Sequence, residues 1–210
     1  MLTPLPARVV GAPANKCVGF IDGTFQRCAR PIEGQQYKYS GFYKAQGLKF
    51  QCVVAPNGLI VDIFVPVPGC RSDSYLLKES GFLARMRQLS RIAGGEYYVY
   101  GDPAYPLGRG IMRGYKGAMN AREAAFSNAM NALRVSVEWS FLHIARDWSF
   151  VTSKKNLQIW WQPVGRIYYV AAIVTNAKCC LTAETRDGYS NMIAQRFDLS
   201  PPTLRDYLNS

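Results

Sequence analysis

The chain has 210 residues, 49% of them apolar and 19% charged, enough for one domain with a sizeable core or for a domain plus an appendage. Its 25 Lys and Arg against 14 Asp and Glu give a net charge of +11, which favours a polyanionic partner, because phosphates neutralised by such a surface release their counterions. The six cysteines form no Cys-x-x-Cys pair and His143 is the one histidine, which excludes a zinc site of the usual spacing; with no signal-length apolar run at the N-terminus, no bilayer-length run anywhere and no basic amphipathic helix, a soluble intracellular protein that meets nucleic acid rather than membrane is expected.

Residues 1–16 are rich in Pro, Ala and Gly and read as a loose lead-in. Cys17 to Ile21 is a short apolar run ending at Asp22-Gly23, which suits either a hairpin turn or a buried strand with a carboxylate at its end. Tyr37 to Tyr43 is expected to form a further strand edge. Leu48 to Val54 alternates, Pro56-Asn57-Gly58 turns, and Leu59 to Val65 returns, so this segment is expected to be a hairpin. Asp73 opens a helix, with Ser72 or Asp73 itself as N-cap, and Gly94-Gly95 closes it.

Tyr97 to Tyr100 reads as a buried strand, and it stops at Gly101-Asp102-Pro103. Asp102 suits either a turn whose side chain bonds its own backbone or a ligand-facing carboxylate beyond a strand's carboxyl end. Ile111 to Tyr115 is expected to hold a short strand within a glycine-rich, basic stretch that carries Arg109, Arg113 and Lys116.

Phe126, Met130, Leu133, Val137, Phe141, Ile144 and Trp148 are spaced three or four apart and trace one face of a long helix. Glu138 borders that stripe, with Arg134 four residues earlier, so it suits either a surface ion pair or a carboxylate reaching over the sheet. Lys154-Lys155 precedes a second helical stretch, Leu157 to Ala177, which Pro163 kinks or splits. Its aromatics, Trp160, Trp161, Tyr168 and Tyr169, suit core packing better than base stacking, since apolar neighbours surround them. The tail begins a cap and short helix near Leu208. Strands first and helices later give an α/β class, a mixed sheet flanked by helices with a helical C-terminal part.

Asp22, Asp102 and Glu138 thus share a description, and converging carboxylates can hold Mg²⁺ or Mn²⁺ ions through oxygen. Two such ions suit phosphodiester displacement, and between residues 109 and 166 nine Lys or Arg face three acids, as a polyanionic substrate requires.

Phe20-Ile-Asp-Gly-Thr-Phe25, Lys49-Phe-Gln-Cys-Val-Val-Ala-Pro-Asn-Gly58, Pro68-Gly-Cys-Arg-Ser-Asp-Ser74, Tyr100-Gly-Asp-Pro-Ala-Tyr-Pro106 and Arg134-Val-Ser-Val-Glu-Trp139 resemble, in order, the signature blocks of the Harbinger/PIF-type DDE transposases and the nucleases derived from them. The 35 residues between Asp102 and Glu138 match the superfamily's interval. The resemblance implies a ribonuclease H-like domain over residues 17–178 with a C-terminal extension over 179–210, and a two-metal triad of Asp22, Asp102 and Glu138. Asp73 is a lesser metal candidate, and Arg109, Arg113, Lys116, Lys154 and Lys155 are candidate DNA contacts. It also implies a nuclear protein that cuts DNA with a Myb-like partner. The alternative is a non-enzymatic, domesticated module that keeps the fold for its basic surface.

Overall fold

Alternating and apolar runs make strands of the first half, and 3.6-residue periodicity makes helices of the second. The structure, a computed structural model, describes residues 16–152, 157–159, 161–183 and 192–209. In chain order the elements are β1 (Cys17–Arg27), α1 (Gln35–Lys38), β2 (Tyr39–Ser40), β3 (Ala45–Val54), β4 (Ile60–Pro68), α2 (Asp73–Glu79), α3 (Phe82–Ile92), β5 (Tyr98–Gly101) and β6 (Ile111–Arg113). There follow α4 (Ala121–Asp147), α5 (Ser149–Thr152), α6 (Val164–Leu181), α7 (Met192–Arg196) and α8 (Leu204–Leu208).

The strands form one mixed sheet in the order β4-β3-β1-β5-β6, with β2 also on β3. β3 pairs antiparallel with both β1 and β4, and β5 runs parallel to β1 and to β6. β1 is therefore central, and each of its faces meets a different layer. Phe20, Tyr98 and Tyr100 share a core with Met130, Leu133 and Val137 of α4. Ile21, Val53 and Val99 share another with Leu77, Phe82 and Met86 of α2 and α3. α6 also joins the α4 side through Tyr168, Ala171 and Ala172, as do Ile193 and Phe197 of the C-terminal segment. All six cysteines are free thiols, and among the described residues no helix is long and apolar enough to cross a membrane.

Several elements differ from the sequence reading. β1 does not stop or turn at Asp22-Gly23: β3 offers partners along its whole length, from Phe20↔Val54 to Arg27↔Gly47, so the chain stays extended. The helix expected from Asp73 to Gly94 is two helices, because Gly81 adopts a left-handed backbone (φ +63°) and Ser80 accepts the Phe82 N–H. The strand expected over Tyr37 to Tyr43 shrinks to Tyr39–Ser40, with α1 before it. Pro163 does not kink a helix from Leu157; it stands at the N-cap of α6, where its missing N–H costs nothing. Residues 1–15, Lys154, Lys155 and Trp160 lie outside the described residues.

The expected hairpin, β5, β6 and the long helix are present. α4 opens with a capping box in which Asn120 accepts the Glu123 N–H and Glu123 accepts the Asn120 N–H. Met130, Leu133, Val137 and Ile144 of the periodic stripe are buried, with Phe126, Phe141 and Trp148 packed partly buried beside them.

β4 is an outer strand, and an open edge invites pairing with another chain. Asn176 of α6 closes it locally: its Oδ1 accepts the Ile60 N–H at 2.9 Å and its Nδ2 donates to the Ile60 carbonyl at 2.8 Å. One side chain stands in for a strand partner at a buried position. Asn176→Ala leaves both backbone groups unsatisfied, so urea unfolding should show a loss of about 2–3 kcal/mol.

Candidate functional site

Asp22 and Asp102 come from adjacent parallel strands. Ile21 is the register partner of Gly101, so Asp22 and Asp102 follow one step further on and fall on the same side of the sheet as Phe20 and Tyr100, the side that α4 covers. β5 ends at Gly101 while β1 continues along β3, which opens a step in the sheet at the two aspartates. A step of this kind at a carboxyl strand end is where α/β sheets hold ligands.

Asp22 is largely buried, its side chain 19% exposed. Its Oδ1 accepts the Gly23 N–H at 2.9 Å, and its Oδ2 meets Nη1 of Arg134 at 2.9 Å. The other guanidinium nitrogen, Nη2, reaches Oε1 of Glu138 at 3.1 Å, so Arg134 bridges a strand acid and a helix acid. Glu138 is half-exposed. Asp102 turns its Oδ1 to the Ala104 N–H of its own turn, and Arg113 donates to the Pro103 carbonyl at 2.9 Å, which fixes that turn.

Asp73 approaches from the other face of β1. It is the first residue of α2, capped by Ser72, and it ion-pairs with Lys49 of β3 at 2.8 Å. Gly23 makes this possible, since a Cβ there would collide with the Asp73 carboxylate. Tyr105 adds a hydroxyl that is buried without a hydrogen-bond partner among the described residues. Burial, and then the nearby charges of Asp73, Asp22 and Asp102, push that phenol well above its usual range.

Burial pushes the Asp22 carboxyl up to about 6, against the pull of Arg134 and the Gly23 N–H and with help from Asp102 and Asp73. Desolvation thus outweighs the ion pair. As an anion at neutral pH, Asp22 has one guanidinium beside it, too little to offset its burial and two more carboxylates close enough to repel it. Hard oxygen donors in that condition suit Mg²⁺ or Mn²⁺.

The expected convergence of three carboxylates is met only in part. Asp102 and Asp73 each stand within electrostatic reach of Asp22, whereas Glu138 is joined to Asp22 through the Arg134 guanidinium. Among the described residues no group of three or more His, Cys, Asp or Glu is arranged to hold a metal ion. Arg134, Lys49, Gly23 and Tyr105 escape sequence reasoning as parts of the site. The four-residue offset between Arg134 and Glu138 was a signal for one half of the bridge; nothing local signals the half that reaches Asp22. Arg109 is exposed on the loop before β6, in the lining of a cavity with Arg87 and Arg91, and Lys116 is exposed on the loop before α4.

The chain's sequence matches the model of a family described as DDE superfamily endonuclease over residues 21–176. No curated protein matches, and no solved structure does.

The sign of the Asp22 displacement fixes a pH effect. The folded carboxyl keeps its proton up to about pH 6, while the unfolded chain releases it near the ordinary value of 3.8. Its contribution to stability is therefore greatest below pH 4 and declines as pH rises to about 6. At ~1.4 kcal/mol per tenfold change in proton affinity, the buried anion costs at most about 3 kcal/mol at neutral pH. Asp22→Asn should raise the thermal midpoint at pH 7.5 by a few degrees and flatten the decline between pH 4 and 6, as followed by circular dichroism.

Proposed function

Because the chain belongs to the DDE superfamily endonucleases, we propose that it is the catalytic domain of a transposase-type DNA endonuclease that depends on divalent metal, with Asp22, Asp102 and Glu138 as its acids. The observation that carries this reading is the placement of Asp22 and Asp102 in register at the end of β5, with α4 bringing Glu138 alongside through one guanidinium. The sheet order, with antiparallel β4-β3-β1 leading into parallel β5 and β6, supports a ribonuclease H-like description. The five ordered sequence blocks support the Harbinger/PIF subtype, and a nuclear location and a Myb-like partner stand or fall with that subtype.

When bound, a pair of Mg²⁺ or Mn²⁺ ions would supply the activation of the attacking oxygen and the stabilisation of the leaving one. The oxygens of Asp22, Asp102 and Glu138 are the ones that would hold the ions, with Asp73 as a lesser candidate. Burial of Asp22 excludes water from one flank and makes a cation favourable there. Arg134 is a positioning residue: its guanidinium pairs with both Asp22 and Glu138 and keeps α4 against β1. Gly23 lets Asp73 close the far side of the strand, and the turn at Asp102 is held by Arg113. The net charge of +11 draws a DNA substrate without sequence preference.

In a plasmid-nicking assay with Mg²⁺ or Mn²⁺, the protein should convert supercoiled to open-circular DNA, and Asp102→Asn should lower the rate at least 100-fold. Cleavage that survives the substitution would sink the assignment. If neither nicking nor stabilisation by metal occurs, the domain is a non-enzymatic DNA-binding module.

Arg134→Gln gives a readout independent of turnover. Without the guanidinium, Asp22 and Glu138 repel each other and the metal-free protein should melt lower. Mn²⁺ should then raise its melting temperature more than it raises that of the unaltered chain, measured by scanning fluorimetry. An equal or smaller rise would rule out Arg134 as a cation that competes for these acids.

A further inference from the structure

A second concavity lies at the opposite end of β5. Lys16, Arg87, Arg91 and Arg109 line it, with Glu96 as the one acid and Tyr97 in the wall, around a cavity of about 630 Å³. Along a strand that rises ~3.3 Å per residue, Tyr98 at its edge is roughly 13 Å from Asp102. The cavity also sits against α3, on the far side of the sheet from α4. It is distinct from the carboxylate site.

The cations arrive from three parts of the chain. Arg87 and Arg91 are one turn apart on α3, so they project from the same face. Lys16 immediately precedes β1. Arg109 comes from the loop before β6, and the geometry of Gly110 brings that loop in. Gly110 has a left-handed backbone (φ +88°), and a Cβ there would press to 3.1 Å from Cβ of Met86, the neighbour of Arg87. The Gly110 carbonyl accepts the Val99 N–H, which ties the loop to β5. The approach of Arg109 to α3 is therefore built into the backbone.

None of the four cations makes an ion pair among the described residues. Elsewhere the protein does pair its cations beside acids: Lys49 with Asp73, Arg85 with Asp62, Arg134 with Asp22 and Lys178 with Asp147. Three guanidiniums and an ammonium facing one cavity repel each other, and the repulsion is relieved by an anion. Arg91 in the last turn of α3 gains something from the helix dipole, but that accounts for one cation of the four. Guanidinium forks match the oxygens of phosphate and of carboxylate alike in pairs, and the chain's net charge of +11 favours the more densely charged polyanion, a nucleic-acid backbone.

We propose that the cavity formed by Lys16, Arg87, Arg91 and Arg109 is a phosphate-binding site that holds a nucleic-acid backbone away from the carboxylate site. Its role is to grip rather than cut. It is independent of the assignment of the acids, because binding there needs no metal.

Fluorescence anisotropy of a labelled duplex and a labelled single strand, titrated in EDTA over a series of salt concentrations, tests this. The variant Arg87→Gln/Arg91→Gln/Arg109→Gln should bind about 10-fold more weakly at moderate salt. The slope of log affinity against log salt should fall by about 0.9 for each phosphate no longer neutralised on duplex and about 0.7 on single strands. Lys44→Gln/Lys78→Gln/Arg205→Gln removes the same charge from exposed positions elsewhere and should change affinity and slope much less. Equal effects in the two variants would overturn the site, since net charge alone would then explain them. Competition with labelled DNA by pyrophosphate and by an acidic peptide identifies the recognised group. Displacement by pyrophosphate at lower charge concentration than by polyglutamate supports phosphate recognition, and the reverse order assigns the cavity to an acidic protein segment. Binding is read in EDTA, where no metal-dependent cleavage occurs, so failed cleavage and failed gripping remain distinguishable.

Discussion

Arg134 joins β1 to α4 through a single guanidinium, with Asp22 on one nitrogen and Glu138 on another. The pair with Asp22 is largely withdrawn from water, where removing a charge is costly and only close, well-directed contact repays it. Here it repays only part. The Asp22 carboxyl still stands at about 6, because desolvation and two neighbouring aspartates outweigh the arginine. The site thus holds more negative charge than one guanidinium can neutralise. The proposed divalent cation would add charge that the protein itself does not supply.

The sheet makes that imbalance possible. β1 is paired on both sides up to Ile21 and Gly101, and beyond that point only β3 accompanies it. Asp22 therefore lies inside a strand yet beside the end of another, half in the core and half at an opening. Gly23, next along, omits the side chain that would keep Asp73 away. Stability is given up locally, and the surrounding layers make it good: the α4 stripe on one face, Phe82 and Met86 on the other, and Asn176 closing the β4 edge. Two buried groups left unsatisfied among the described residues, the Tyr105 hydroxyl and Nε of Arg134, lie near the same acids. Strain of this sort concentrates where a protein binds or reacts.

Charge is distributed with the same asymmetry. Acids gather at the carboxyl end of β5, and unpaired cations gather at its other end and on α3. A polyanion is repelled by the first and attracted by the second, so the proposed grip away from the acids and the proposed metal at the acids would complement each other.

Periodicity, capping and turn chemistry made most elements legible, because those signals act over a few residues. The Asn57-Gly58 hairpin, the Ser72 cap, β5 ending before Asp102, and the stripe from Phe126 to Trp148 are all of this kind. The three acids could be named as candidates for the same reason. Where the reading erred, at Asp22-Gly23, Gly81 and Pro163, a local signal with two meanings was resolved by a distant partner: β3 kept β1 extended, and packing of Phe82 and Leu77 against the sheet favoured two helices over one. The sequence by itself determined which residue types stand at strand ends and helix borders. Only the tertiary structure decided that Arg134 reaches Asp22, 112 positions away, that Asp73 meets Lys49 across Gly23, and that Arg109 stands beside Arg87. Those contacts depend on sheet register and helix rotation, which are set by the summed packing of the core and by no local stretch of chain.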